Sequence, residues 1–209
     1  MKNMHRDILN LLKRIQAITD TGLLYAKDEY DIERYEELRE INTELWRQYT
    51  GHTAENIGLM FPAVKDYPTV KVDVRGLALS PEKEILLVRE SADGKWSLPG
   101  GWADVGFTAS ETIVKEFKEE TGLNVKPERL LAVMDKKMHP HPPQPFYVYK
   151  MVFHCKILSG KMTRSFDVLD VDYFKIDQLP QLSEDRILKS QIEMLYTKAT
   201  SGDHIPYFD

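Results

Sequence analysis

Glu116, Glu119 and Glu120 stand at i, i+3 and i+4 in a stretch that reads as a helix from about Ala109 to Thr121. That spacing puts three carboxylates on one helix face. They repel one another, and the negative end of the helix dipole adds to the repulsion. The arrangement is unfavourable unless something positive sits among them. Lys115 and Lys118 can supply part of that charge, and a hard divalent cation with oxygen ligands would supply more. An acidic helix face bathed in solvent is the common alternative, and the triplet alone does not separate the two. The surroundings add weight. Pro99-Gly100-Gly101 and Gly106 make a permissive loop before the helix. Thr108 followed by Glu111 predicts a capping box, and Gly122 a left-handed stop. Ile113 and Phe117 offer an apolar face that would hold the helix against a sheet.

The elements that must position these carboxylates are legible around them. Val70, Val72 and Val74 alternate with Lys71, Asp73 and Arg75, which predicts a strand. Further strands are expected at Ile85–Val88, Trp96–Leu98, Leu130–Met134, Tyr147–Leu158 and Val171–Phe174, with a last helix over roughly 184–196. Strands and helices do not alternate regularly, so the fold class expected is α+β with a mixed sheet. Before this region, Ile8, Leu11, Leu12, Ile15 and Ile18 form one helical stripe, which Asp20-Thr21-Gly22 should break. A second helix is expected from about Asp31, with Tyr35, Leu38, Ile41, Leu45 and Tyr49 on one face and Gly51 as its stop. Residues 50–67 read as a packed connector. The division expected is 1–66, a helical extension and connector, and 67–209, a catalytic domain. Two amphipathic helices cannot bury both stripes by themselves. A homodimer is therefore expected, with its interface on Met4–Ile18 and Asp31–Tyr49.

The stretch Gly101–Leu123 resembles the box of the Nudix hydrolases, G-x5-E-x7-R-E-U-x-E-E-x-G-U, where U is a bulky aliphatic residue. Gly101, Glu116, Glu119, Glu120, Gly122 and Leu123 fall in register. Phe107 stands where the first box glutamate is expected, and Lys115 replaces the arginine. The resemblance extends over roughly residues 70–182, through Lys71–Arg75, Ile85–Glu90 and the run Trp96-Ser-Leu-Pro99. It implies an α/β/α sandwich and attack of water on a diphosphate with Mg2+ or Mn2+ bound. It also implies Glu116 and Glu120 as metal ligands, with Glu119 a further ligand or a water-orienting group. Glu116 and Glu119 are thereby the catalytic residues. The departures bear on metal number and rate, because a lysine offers only a point charge where an arginine clamps a carboxylate with two hydrogen bonds.

Other residues are candidates for substrate. Four prolines stiffen the segment Asp135–Phe146, where His139 and His141 could bind phosphate when protonated or stack on a base. Arg75, in an otherwise apolar alternation, is a candidate phosphate contact, and Gly101 is counted with the substrate-binding residues. Trp102 could stack on a base, although packing is the plainer reading. Asp167 and Asp170 precede a strand, where several Nudix subfamilies carry a loop base. The helical extension, the His-Pro-His-Pro-Pro loop and Leu182–Arg186 resemble bacterial Nudix members associated with CDP-choline and ADP-ribose. CDP-choline, giving CMP and phosphocholine, is the substrate expected first. ADP-ribose or nucleotide-sugar cleavage, RNA exonuclease or RNA-end processing, and a non-catalytic ligand-sensing domain are the other readings.

Composition bounds these expectations. The chain has 209 residues and a formal net charge of -5. Such a surface repels polyanions, so nucleic acid is not the expected partner, although a local basic groove is compatible with the total. A small-molecule nucleoside diphosphate derivative is. Cys155 is the single cysteine, which forbids an intramolecular disulfide and reads as a core residue. No apolar stretch approaches the ~20 residues that span a bilayer, and charged residues interrupt the N-terminus. No membrane association and a cytoplasmic location are expected.

Overall fold

A computed structural model describes residues 2–62, 66–165 and 167–209, with the backbone alone for residues 2–6. The chain divides into two compact units: residues up to Val70 together with Pro143–Tyr147, and Lys71–Pro142 together with Val148–Asp209.

The first unit is helical. Helix α1 is Lys2–Tyr25, α2 is Glu29–Thr50 and α3 is Ala54–Met60. The Asp28 side chain caps α2 by accepting from the N–H groups of Tyr30 and Asp31, and Gly51 ends it in the left-handed conformation. α3 lies inside the predicted connector, capped by Thr53. The break predicted at Asp20-Thr21-Gly22 does not occur. Gly22 stays helical because it lies against Tyr35 of α2, where a Cβ would overlap the ring. The glycine marks a close helix–helix approach, which offsets its ~1 kcal/mol propensity cost.

Burial in this unit is unexpected. α1 turns Leu9, Leu12, Gln16 and Thr19 inward, toward Asn42 and Trp46 of α2 and Ile57 of α3. Asn42 Nδ2 donates to Gln16 Oε1 at 2.9 Å. The inner seam is thus partly polar, whereas Ile8, Leu11 and Ile18 of α1, with Ile41 and Leu45 of α2, are exposed.

The second unit holds a five-stranded mixed sheet. Strand β1 (Lys71–Ala78) lies between β4 (Gly100–Trp102), antiparallel, and β6 (Val148–Gly160), parallel. β6 pairs antiparallel with β5 (Leu123–Asp135), and β5 pairs parallel with β8 (Tyr207–Phe208). A smaller antiparallel sheet carries β3 (Trp96–Ser97), β2 (Ile85–Glu90) and β7 (Val168–Phe174) in that order. Alternation along β1 serves two faces. Val74 and Ala78 pack with Ile113 and Phe117 of α4 (Ala109–Thr121). Leu77 packs on the other face with Ala132, Met134 and Val152, and with Ile192 and Leu195 of α5 (Lys189–Thr200). The α+β class and mixed sheet are as expected. β5 begins seven residues earlier than predicted, because Lys126, Pro127, Glu128 and Arg129 hide its first half.

Candidate active site

α4 is held at both ends. Thr108 Oγ1 accepts from the Glu111 N–H, and the Glu111 carboxylate accepts from the Thr108 N–H at 2.8 Å. Gly122 closes the helix at φ 75°. With Ile113 and Phe117 fixed on β1, Glu116 and Glu120 face β4, one turn apart. The Gly100 N–H donates to Glu120 Oε2 at 2.8 Å. A Cβ on Gly101 would lie 2.9 Å from Glu116 Oε1. Gly100 itself adopts φ 135°, where a side chain would strike the Val74 carbonyl. The glycine pair is what lets the β4 backbone reach both carboxylates.

Charge is costly here. Glu120 is only 6% exposed. Burial pushes its carboxyl up to about 8, although Arg75 and the Gly100 N–H favour the ionised form; Glu116 and Glu90 push it further up. Glu116 is raised for the same reason, burial, against the pull of Lys115 and Arg75. Both carboxyls therefore lack sufficient positive charge. Hard oxygen donors in this condition suit a small divalent cation, which often takes one or two carboxylates, keeps several waters and shares substrate phosphates. Glu116 and Glu120 would hold such an ion.

Glu119 departs from the expected three-carboxylate cluster. Its i+3 position turns it to solvent, where Lys115 pairs with it at 3.3 Å and with Asp104 at 3.0 Å. Among the described residues no three His, Cys, Asp or Glu side chains are gathered so as to hold a metal. Lys115 thus ties the exposed edge of α4 to the preceding loop.

The other predicted residues are distributed as follows. Arg75 is buried rather than open to a phosphate: its guanidinium donates to Asp73 at 2.9 Å and to the Leu98 carbonyl at 3.0 Å, with Glu90 at 3.6 Å. His141 is buried, with Nδ1 2.6 Å from the Glu184 carbonyl. A carbonyl only accepts, so Nδ1 carries the hydrogen and Nε2 is a bare acceptor. Burial holds the ring down to about 4, so it is neutral at pH 7 and not the cation expected. His139 Nε2 lies 3.2 Å from Asp209 Oδ1. Asp167 and Asp170 sit at the start of β7, both exposed. They bond to the Ser165 hydroxyl and the Val171 N–H, and no ion pair joins them to α4 among the described residues. Trp102 is half-exposed with the Lys71 ammonium 5.6 Å from its ring centroid. Phe107, which stands where the first box glutamate is expected, is turned partly to solvent. It is 49% exposed, on a loop whose neighbour Val105 is wholly in solvent.

Sequence reasoning missed a buried charged group on the other side of Arg75. Asp73 pairs with Lys150, which is fully buried, and Arg186 pairs with Glu90 at 2.9 Å. Lys136 lies nearby, with Nζ donating to the Asp185 carbonyl at 2.6 Å. The signal was present: Lys150 stands at i+2 from Val148 and i−2 from Val152, inward positions both.

Comparison with known proteins completes the site. Residues 6–61 match the family model "UDP-X-like, N-terminal oligomerisation domain", and residues 70–195 match the NUDIX domain. The Bacillus subtilis protein YjhB, named provisionally as an ADP-ribose pyrophosphatase, is 42% identical over 201 residues, 96% of each chain. An ADP-ribose pyrophosphatase of Methanocaldococcus jannaschii is 32% identical over 57% of this chain and 69% of its own. The crystal structure of a UDP-X diphosphatase superposes with TM-score 0.64 at 40% identity, over 98% of this chain and 99% of that one. The chain belongs to the Nudix hydrolases, a family of enzymes that act on nucleoside diphosphate derivatives and generally use divalent metal ions.

Proposed function

We propose that this chain hydrolyses the diphosphate bond of a nucleoside diphosphate linked to a second small group, with Mg2+ or Mn2+ held by Glu116 and Glu120. The observation that carries the reading is the pair of carboxylates with raised pKa, Glu120 buried and Glu116 half-buried, set against the Gly100–Gly101 backbone. A bound divalent ion supplies charge neutralisation on the phosphate oxygens and a more acidic water. The chain does the rest. Gly101, without a side chain, leaves room for a phosphate beside Glu116. Glu119, held at the rim by Lys115, is the group placed to orient water. Arg75 acts as a fixed positive charge behind Glu120, and His139 and His141 belong to the loop that borders the substrate. Asp167 or Asp170, exposed at the start of β7, would serve as a loop base.

Within this class, CDP-choline is the substrate proposed from the sequence layout. ADP-ribose and UDP-linked compounds are its competitors, because full-length relatives carry those names. A panel of the three with product identification decides among them. Production of a nucleoside monophosphate and a phosphorylated partner from any of them, with metal only, supports the reaction. Failure on all three removes it.

The protein is proposed to work in the cytoplasm; no described helix is long and apolar enough to cross a membrane. It is proposed to be a homodimer through α1 and α2. The support is the exposed apolar residues of these helices and the oligomerisation domain whose model they match.

A further inference from the structure

Pro143–Tyr147 interrupts the second unit. The chain leaves that unit after Pro142, folds with the helical unit, and re-enters at Val148, the first residue of β6. Specific contacts hold the segment there. The Tyr147 hydroxyl donates to the Asn10 carbonyl of α1 at 2.9 Å. That carbonyl has two lone pairs, so it can serve the hydroxyl and its own helix together. Lys13 follows on α1, with its ammonium 4.5 Å from the centroid of the Tyr147 ring, inside cation–π range. Lys13 is 9% exposed. Burying an ammonium is costly, and a plain tether between two units would not require it. Phe146 meets Phe61 edge-on, with centroids 6.4 Å apart, and Phe61 in turn lies against Trp46 in the core of the helical unit. Each contact is weak alone. Together they fix two neighbouring residues.

The chain on either side can carry that position onward. Pro140, Pro142, Pro143 and Pro145 precede Phe146. Each proline locks φ, and a run so rich in them behaves as a semi-rigid spacer. Fixing Phe146 and Tyr147 therefore constrains His141 and His139 as well. The other end of the run is held within the second unit, where His141 Nδ1 bonds the Glu184 carbonyl at 2.6 Å and His139 Nε2 lies 3.2 Å from Asp209 Oδ1. Beyond Tyr147 the chain enters β6 and reaches Lys150, whose ammonium pairs with Asp73, the carboxylate that also holds Arg75. Along the chain, Tyr147 thus stands between the two histidines and the buried charges behind Glu120.

We propose that Tyr147 is a positioning residue, seated by Asn10 and Lys13 of α1, which sets the histidine loop for substrate. The helical unit then serves the reaction as well as assembly. This rests on the reaction proposed above and on the loop that borders its substrate. A tether whose contacts only add stability is the competing reading, and loosening the seat separates the two. Where the seat sets the fraction of molecules with the loop in its binding position, apparent affinity falls with that fraction and the chemical step does not change.

The test compares full-length wild type with Tyr147→Phe, Lys13→Met and the double variant, in Mg2+ with CDP-choline, ADP-ribose and a UDP-sugar. Tyr147→Phe deletes the donor and keeps the ring; Lys13→Met deletes the charge at similar length. Each is expected to raise KM about fivefold, the scale of one hydrogen bond, with kcat held within about twofold. The double variant should fall short of the product of the two effects, because both act at one seat. Lys13→Arg, which keeps the cation over the ring, should restore most of the affinity. Sedimentation and circular dichroism should match wild type. Unchanged KM in both folded single variants, or a fall in kcat at constant KM, overturns the inference. A second readout needs no turnover. In 1H–15N spectra of the imidazoles without substrate, the His139 and His141 signals should shift or broaden in both single variants while those of His154 and His204 stay in place. Unmoved His139 and His141 signals overturn the inference whatever the activity. Moved signals in a protein whose wild type hydrolyses none of the three compounds would defeat the reaction instead and leave the seating of the loop by α1 standing.

Discussion

At the scale of single residues, Glu120 carries the account. Its carboxyl sits at about 8 in the folded protein, against an ordinary 4.5. Between those values the folded state keeps a proton that the unfolded chain has released. Metal-free protein therefore loses stability as pH rises through this window, by a few kcal/mol, since each pKa unit is worth about 1.4 kcal/mol. Glu120→Gln should abolish that slope in denaturant titrations at pH 5, 6.5 and 8; an unchanged slope would mean that another group is responsible. The same proton must leave before a cation binds, so metal affinity should climb up to about pH 8 in wild type. Cys155 gives a simpler expectation. Burial pushes its thiol up to about 12, so a thiol reagent at pH 8 should label the unfolded chain readily and the native one scarcely at all. Rapid native labelling would show that β6 opens. The i, i+4 spacing made Glu116 and Glu120 legible as a pair. It did not reveal that Glu119 turns to Lys115, because a shared helix face spans solvent and wall alike. His141 was readable as a ligand type only. Its neutral state depends on burial first, with Lys136 and Lys150 pushing the same way.

At the scale of elements, local signals that stay local were legible, and those that depend on partners were not. The α4 helix was predicted to the residue because Thr108, Glu111 and Gly122 set its ends by short-range bonds. Thr108→Ala should cost about 1 kcal/mol and lower the melting temperature by a few degrees, about 2–4 °C. No change in melting would mean that the Ile113 and Phe117 packing alone fixes the helix. Gly22 shows the opposite case. A glycine in a helical pattern reads as a stop, but its reason is the Tyr35 ring on another helix. Gly22→Val should therefore destabilise the helical unit by more than the small propensity difference, as seen in its thermal unfolding. The short strands β4 and β8 are similarly invisible locally, since their pairing partners create them.

At the scale of the whole molecule, the apolar stripes drawn from the sequence are split, with Leu12 inward and much of the rest outward. α1 and α2 meet through Gln16, Thr19 and Asn42 and leave Ile8, Leu11, Ile18, Ile41 and Leu45 in solvent. Leu11→Glu with Leu45→Glu should convert a dimer to a monomer in sedimentation while the second unit keeps its circular dichroism; a persistent dimer would move the interface elsewhere. The central claim concerns the chemistry, and its most direct measurement is hydrolysis of CDP-choline, ADP-ribose and a UDP-sugar by wild type, Glu116→Gln and Glu120→Gln, with and without Mg2+ or Mn2+. The account predicts turnover of at least one compound by wild type with metal only, and a loss of about a hundredfold or more in each variant, the scale of removing a group that stabilises transition-state charge. Metal-independent turnover, or near-normal turnover by folded Glu120→Gln, would contradict it.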